Sequence, residues 1–273
     1  MKKSVIMLAG MLSLGSALAY AESNVKGTVL NQSVNTGSAN VAIGQDNKAN
    51  MGSLGIENST VKGTVLNQSV NAGSANVAIG QGNKANMGSV GISGSNVKGT
   101  VLNQSVNSGS ANVAIGQGNK ASMGSVDINQ STVKGTVLNR SINSGSANVA
   151  IGQNNQANMG SVGIDKSNVK GTVLNQSVNS GSANVAIGQG NKANMGSVGI
   201  SGSNVKGTVL NQSVNSGSAN VAIGQNNNAN MGSVGIENST VKGTVLNQSV
   251  NSGSANVAIG SGNDANMGSV GIK

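Results

Sequence analysis

The 273-residue chain contains no Cys, Pro, His, Trp or Phe, and its one aromatic residue is Tyr20. Each absence excludes something. Without cysteine it is not a disulfide scaffold. Without His or Cys it lacks the usual base, nucleophile and soft metal ligand. Without aromatics it has no platform on which nucleic-acid bases stack, and no large side chains for a conventional globular core. Charge is also scarce: 8% of residues are Asp, Glu, Lys or Arg. Disordered chains rely on charge to stay solvated. A polar, Asn-rich, proline-free chain with little charge favours β assembly instead.

What is present is a period. Lys-Gly-Thr-Val-Leu-Asn begins at Lys26, Lys62, Lys98, Lys134, Lys170, Lys206 and Lys242, each step being 36 residues. A fixed period of this size marks a repeat array. The first 21 residues read differently. Lys2 and Lys3 precede an apolar stretch from Val5 to Ala19, and Ala19-Tyr20-Ala21 has the small-x-small pattern of a signal-peptide cleavage site, so 1–21 is predicted to be a secretory leader cleaved after Ala21. No cysteine stands there to carry a lipoprotein anchor. Cleavage leaves 252 residues, a single repeat domain over 22–273 made of units 22–57, 58–93, 94–129, 130–165, 166–201, 202–237 and 238–273. No second apolar segment is expected to span a membrane. The net charge is +9, or +7 without Lys2 and Lys3. It is mainly solubilising, with anionic polysaccharide or a cell surface as possible partners and no specific nucleic acid.

Within a unit every segment is short, β-branched or amide-rich, and bounded by Gly, Ser or Asn. The reading is all-β: a β-solenoid of seven tandem repeats. Alternation predicts Val25, Gly27, Val29, Asn31 and Ser33 on one face, and Val41, Ile43, Gln45, Asn47, Ala49 and Met51 inward. The two sets align at an offset of 16, which predicts two coils per repeat. The lysines agree. Seven stacked lysines would repel by about 0.9 kcal/mol per neighbouring pair at a spacing of about 4.8 Å, and by about 0.4 at twice that spacing. Leu30 and Val34 recur on the other face of the first strand. Either that face is covered or reversed, or an apolar stripe runs along the outside, open to lateral association.

Two asparagine columns are the candidate structural determinants: Asn31, Asn67, Asn103, Asn139, Asn175, Asn211 and Asn247, and Asn47, Asn83, Asn119, Asn155, Asn191, Asn227 and Asn263. Stacked amides can hydrogen-bond from rung to rung, and buried amides require such partners. Lys26, Lys62, Lys98, Lys134, Lys170, Lys206 and Lys242 form a basic column. The seven acids, Glu22, Asp46, Glu57, Asp127, Asp165, Glu237 and Asp264, are scattered, so neither a paired-carboxylate site nor a calcium-binding nonapeptide repeat is expected. No glycine run has the form of a phosphate-binding loop. The reading is not an enzyme, with no catalytic, cofactor or metal residues.

With these features the chain resembles secreted bacterial functional-amyloid subunits of the curlin and Fap type. The resemblance rests on a leader followed by tandem units rich in Gly, Asn, Gln, Ser and Ala, and on Asn40-Val-Ala-Ile-Gly-Gln-Asp-Asn47 and Asn47-Lys-Ala-Asn50. The unit is longer than a curlin repeat and lacks its aromatics. Locally, Val41-Ala-Ile-Gly44 followed by Ser53-Leu-Gly-Ile56 resembles the head repeats of trimeric autotransporter adhesins. No atypical repeat caps the array, so the expected function is end-to-end homopolymerisation through open β edges into extracellular or cell-surface fibres. The alternative is a non-polymerising solenoid adhesin that binds glycans or host surfaces through its outer face.

Overall fold

The computed structural model describes residues 11–12, 18–21, 24–37, 39–45, 48–82, 84–262 and 264–272. It is a β-solenoid, with every strand pairing parallel to its counterparts in adjacent units. One turn of the coil contains four strands, as in Asn96–Ser108, Ala111–Gln117, Lys120–Met123 and Val126–Asn129. Stacked along the axis, these build four sheets: a long sheet of 13-residue strands, a second sheet of 7-residue strands, and a third and fourth of short strands.

The pairing corrects the two-coil expectation. Lys98 pairs with Lys62 on one side and Lys134 on the other, so one coil consumes a whole 36-residue unit. The two halves of a unit do not pair with each other. The reason lies at the corners. At its corners each inner coil has four residues with φ of +47 to +66, at the positions of Gly37, Gly52, Asn58 and, in later coils, Gly82 or Asn154; two further positive-φ glycines, at the positions of Gly27 and Gly44, lie within strands. Such φ values favour Gly and tolerate Asn. Four corners turn the chain through one circuit, not two. The lysine repulsion that favoured the wider spacing is therefore present at the closer one. All seven lysines of the column are exposed, which lets water and salt weaken it.

The core has two compartments. Val97 and Val101 of the long strand pack with Val126 and Ile128 of the fourth sheet, and this cluster repeats along the axis. Met87, Met123, Met159 and their copies form a second file. Further along the long strand the interior turns polar: Asn103, Ser105 and Asn107 are all buried.

The second sheet corrects another expectation. Its inward side chains are Asn112 and Ala114, both fully buried, while Val113 and Ile115 face outward and are half-buried. Val41 and Ile43, expected inside, are 52% and 68% exposed. Beyond the corner, Asn119, Ala121 and Met123 are buried, so the inward parity changes from even to odd numbers. Gly116, at φ +121, and the corner at Gly118 take up the odd residue. An alternation carried straight through that corner inverts every side chain before it.

One glycine column is dictated by packing. A Cβ on Gly99, at φ +139, would lie 1.9 Å from the carbonyl oxygen of Gly63, and Gly135, Gly171, Gly207 and Gly243 repeat the contact. This explains the glycine in each Lys-Gly-Thr after the first; at Gly27 a Cβ would meet nothing within 4 Å, and the positive φ alone favours glycine.

Candidate interaction surfaces

The interior amides are joined along the axis. In the first predicted column, Asn31 Nδ2 donates to Asn67 Oδ1 at 2.8 Å, and the chain of bonds continues through Asn103, Asn139, Asn175 and Asn211 to Asn247 at 2.9–3.0 Å. The bonds all run the same way, amide nitrogen to the oxygen of the next coil. A net contribution of about 1 kcal/mol is typical of one such bond, and leaving a buried partner unmatched costs more.

The second predicted column behaves differently. Asn47, Asn83 and Asn263 lie outside the described residues. Asn119, Asn155, Asn191 and Asn227 are buried but form no amide-to-amide ladder. Asn119 Nδ2 donates to Ile115 O at 2.6 Å and to Gly80 O at 3.0 Å, and Asn155 Oδ1 accepts from the Asn119 backbone N–H at 2.8 Å. Sitting at a corner, the amide folds back onto backbone groups that the bend removes from the sheet ladder.

Further inter-coil amide ladders escaped the sequence reading, three of them on the first two sheets. Asn35 to Asn71 to Asn107 and onward is buried, with bonds of 2.8–2.9 Å. Asn76 to Asn112 to Asn148 is buried as well, at 3.0 Å. Gln32 to Gln68 to Gln104 is half-buried. Asn35 and Asn40 recur in every unit, so the periodicity that singled out Asn31 pointed to them too.

The ladders have a polarity that matters at the ends. Asn31 Oδ1 and Asn35 Oδ1, in the first coil, are buried acceptors with no hydrogen-bond partner among the described residues. At the other end, Asn211 and Asn215 donate to Asn247 and Asn251, and the long strand Thr240–Ser252 has a neighbour on one side only. Val241 and Val245, whose counterparts are fully buried in inner coils, are partly exposed there. On the opposite edge, Met11–Leu12 pair with Asn31 and Gln32, and Leu18–Ala21 pair in register with Leu54–Glu57. Part of the predicted leader thus occupies the first edge, and Ala21 stands opposite Glu57.

Three outward surfaces distinguish the sides. The seven lysines line the start of the long strand. Val34, Val70, Val106, Ile142, Val178, Val214 and Val250 are 40–61% exposed and, with the glutamine ladder, border an open groove of about 990 Å³ along the axis. The apolar stripe expected at Val34 therefore faces solvent, while Leu66 and its copies are half-buried except in the last coil, where Leu246 is exposed. The outer face of the second sheet presents Ala, Val and Ile columns.

One unit departs from the pattern in a concerted way. Asp127 replaces a glycine of the fourth sheet and Ser122 replaces an asparagine of the third. Ser122 Oγ donates to Asp127 Oδ2 at 2.7 Å, Asn158 Nδ2 donates to Oδ1 at 3.1 Å, and Lys120 Nζ lies 3.0 Å from Oδ1. The shorter serine makes room for the carboxylate, which then ends a file of amides running from Asn266 through Asn230 and Asn194 to Asn158. Among the described residues no three His, Cys, Asp or Glu side chains converge as a metal site, and no helix is long and apolar enough to cross a membrane.

No protein-family model, curated protein or solved structure matches the chain.

Proposed function

We propose that the protein is a secreted structural subunit that stacks head to tail into extracellular or cell-surface fibres. The observation that carries this reading is the matched chemistry of the two ends. The first coil holds buried amide oxygens, Asn31 Oδ1 and Asn35 Oδ1, without donors among the described residues. The last coil ends the same two ladders at Asn247 and Asn251, with the amide nitrogens as the next donors in sequence. A second copy stacked on that coil extends both ladders, four strand edges and the valine file at once. Open edges of this kind template further chains. Because every coil shares one register, the junction between copies repeats the junction within a copy. The resemblance to functional-amyloid subunits points the same way.

The partly paired first edge fits a leader that is removed before assembly. The test is direct. Chain 22–273, incubated at rising concentration, should give fibres by electron microscopy and the cross-β spacings of about 4.8 Å and 10 Å in fibre diffraction. A chain that stays monomeric at high concentration refutes the proposal.

The exposed lysine column supports a second reading, a solenoid that binds anionic polysaccharide along its side. Its charges recur at every coil, and a linear polyanion laid along the axis would meet them in sequence. Binding that weakens steeply with salt and is lost when the column is changed to glutamine would favour this reading.

A further inference from the structure

We propose that two copies of the chain pair side by side through the outer face of the second sheet. The face consists of four columns, those of Ala39, Val41, Ile43 and Gln45, repeated over seven strands. It carries no charged residue in any coil: the only change at these positions is Ser261 for glutamine. In the inner coils Val113, Ile115, Val149, Ile151, Val185 and Ile187 remain partly exposed, and none of the described residues lies across from them. A β face of this composition normally packs on another layer.

Size and shape favour a second copy as the occupant. Strands of seven residues at about 3.3 Å per residue, stacked seven deep at about 4.8 Å, present roughly 770 Å², so a pair covers about 1,500 Å² in total. That falls in the range of stable, specific interfaces. A ladder of identical side chains is self-complementary, and two such ladders interdigitate as in a dry sheet-to-sheet contact. The Lys26 column is about ten residues away along the long strand, roughly 30 Å at extended rise, and the nearer lysines, Lys84, Lys120 and Lys192, lie beyond the corner on the third sheet and not on this face. The Val34 column is a weaker candidate, being a single apolar file flanked by the glutamine ladder. This lateral contact is independent of end-to-end stacking, since it uses a side and not an edge.

The cysteine-free full chain makes the test clean. A two-fold pairing that overlays this face fully sets the middle coil against its own copy, so Val149→Cys and Ile151→Cys should each give covalent dimers with a short bismaleimide, which spans the about 10 Å between packed sheets that a disulfide does not, while Ile142→Cys on the long sheet should not. A triple change, Ile115→Lys with Ile151→Lys and Ile187→Lys, should turn a sedimenting dimer into a monomer with unchanged far-UV circular dichroism; the same changes at Val106, Ile142 and Val178 should leave the dimer intact. If Val149→Cys gives no covalent dimer while Ile142→Cys cross-links, the interface is the long-sheet stripe and the proposal falls. It also falls if Val149→Cys is shielded from alkylation only when phosphatidylcholine vesicles are added, which would make the occupant a lipid surface. Failure to form fibres does not bear on these outcomes, because the dimer forms without stacked ends.

Discussion

Replacing Asn139 by leucine separates the amide ladder from ordinary apolar packing. The side chain is fully buried, accepts from Asn103 Nδ2 at 3.0 Å and donates to Asn175 Oδ1 at 3.0 Å. Leucine removes both bonds and a longer one from Asn139 Nδ2 to Ser161 O at 3.5 Å, leaving the Asn175 Oδ1 acceptor unmatched and Asn103 Nδ2 with only a 3.5 Å bond to Ser125 O. At about 1–3 kcal/mol for each affected group, the loss is at most about 2–6 kcal/mol, offset in part by leucine's apolar surface. The same change at Asn247 orphans only the amide of Asn211, in a coil that is partly exposed. There the cost should be about 1 kcal/mol. Gln104→Leu, in the half-buried glutamine ladder, should cost less than either. Solenoids unfold by neighbouring repeats and not always in one step, so native-state hydrogen exchange resolved by coil is the appropriate assay. The central coils of Asn139→Leu should lose protection by a factor of at least ten, and those of Asn247→Leu should not. Equal losses at the two positions, or none at Asn139, would refute the claim that the ladder holds the interior.

Four further outcomes follow from named contacts. Gly99→Ala should prevent native stacking around that coil, because its Cβ would overlap the Gly63 carbonyl oxygen, whereas Gly145→Ala, which has nothing within 4 Å, should cost only the strain of its positive φ, about 1 kcal/mol; thermal melts compare the two. Lys120→Gln should destabilise the protein by about 1–2 kcal/mol by leaving Asp127 without its cation, and adding Asp127→Gly should recover most of that loss in a urea titration. The urea midpoint should rise with sodium chloride, since neighbouring lysines repel by about 0.9 kcal/mol unscreened, and Lys98→Gln with Lys134→Gln and Lys170→Gln should flatten that dependence. The full chain should form fibres after a longer lag than 22–273, followed by light scattering, because Met11–Leu12 and Leu18–Ala21 occupy part of the first edge.

The class of fold was legible because the period and the strand chemistry both survive in the sequence. The long strand's inward set was legible too: Val25, Val29, Asn31 and Ser33 are buried as alternation predicts, because Gly27 and its copies, at φ +115 to +139, depart from regular strand geometry without changing the parity. Alternation failed where the backbone stops alternating. Gly44 and its copies sit at φ near +120, and the corner that follows consumes one residue, so Val41 and Ile43 came out on the wrong side. The coil count failed for a related reason. Local similarity between Val25–Ser33 and Val41–Ala49 suggested two equal turns, but corner geometry is set by where left-handed residues fall, and the four corners lie 6 to 15 residues apart. Asp127 was read as one scattered acid. Its role depends on Ser122 and Asn158, which are 5 and 31 residues away and meet it only once the coil is closed.

The central claim is that the last coil of one copy receives the first coil of the next. Thr28 and Thr244 are exposed, occupy the same column, and lie in the first and last coils. Within one copy they are six rungs apart, about 29 Å, too far for a disulfide; across a head-to-tail junction they are adjacent, at about 4.8 Å between Cα atoms. A 22–273 chain carrying Thr28→Cys and Thr244→Cys should, on mild oxidation after assembly, run on a denaturing gel as a ladder of multimers, and either single variant should not. Monomers alone from the double variant, or dimers from each single variant, would contradict head-to-tail stacking.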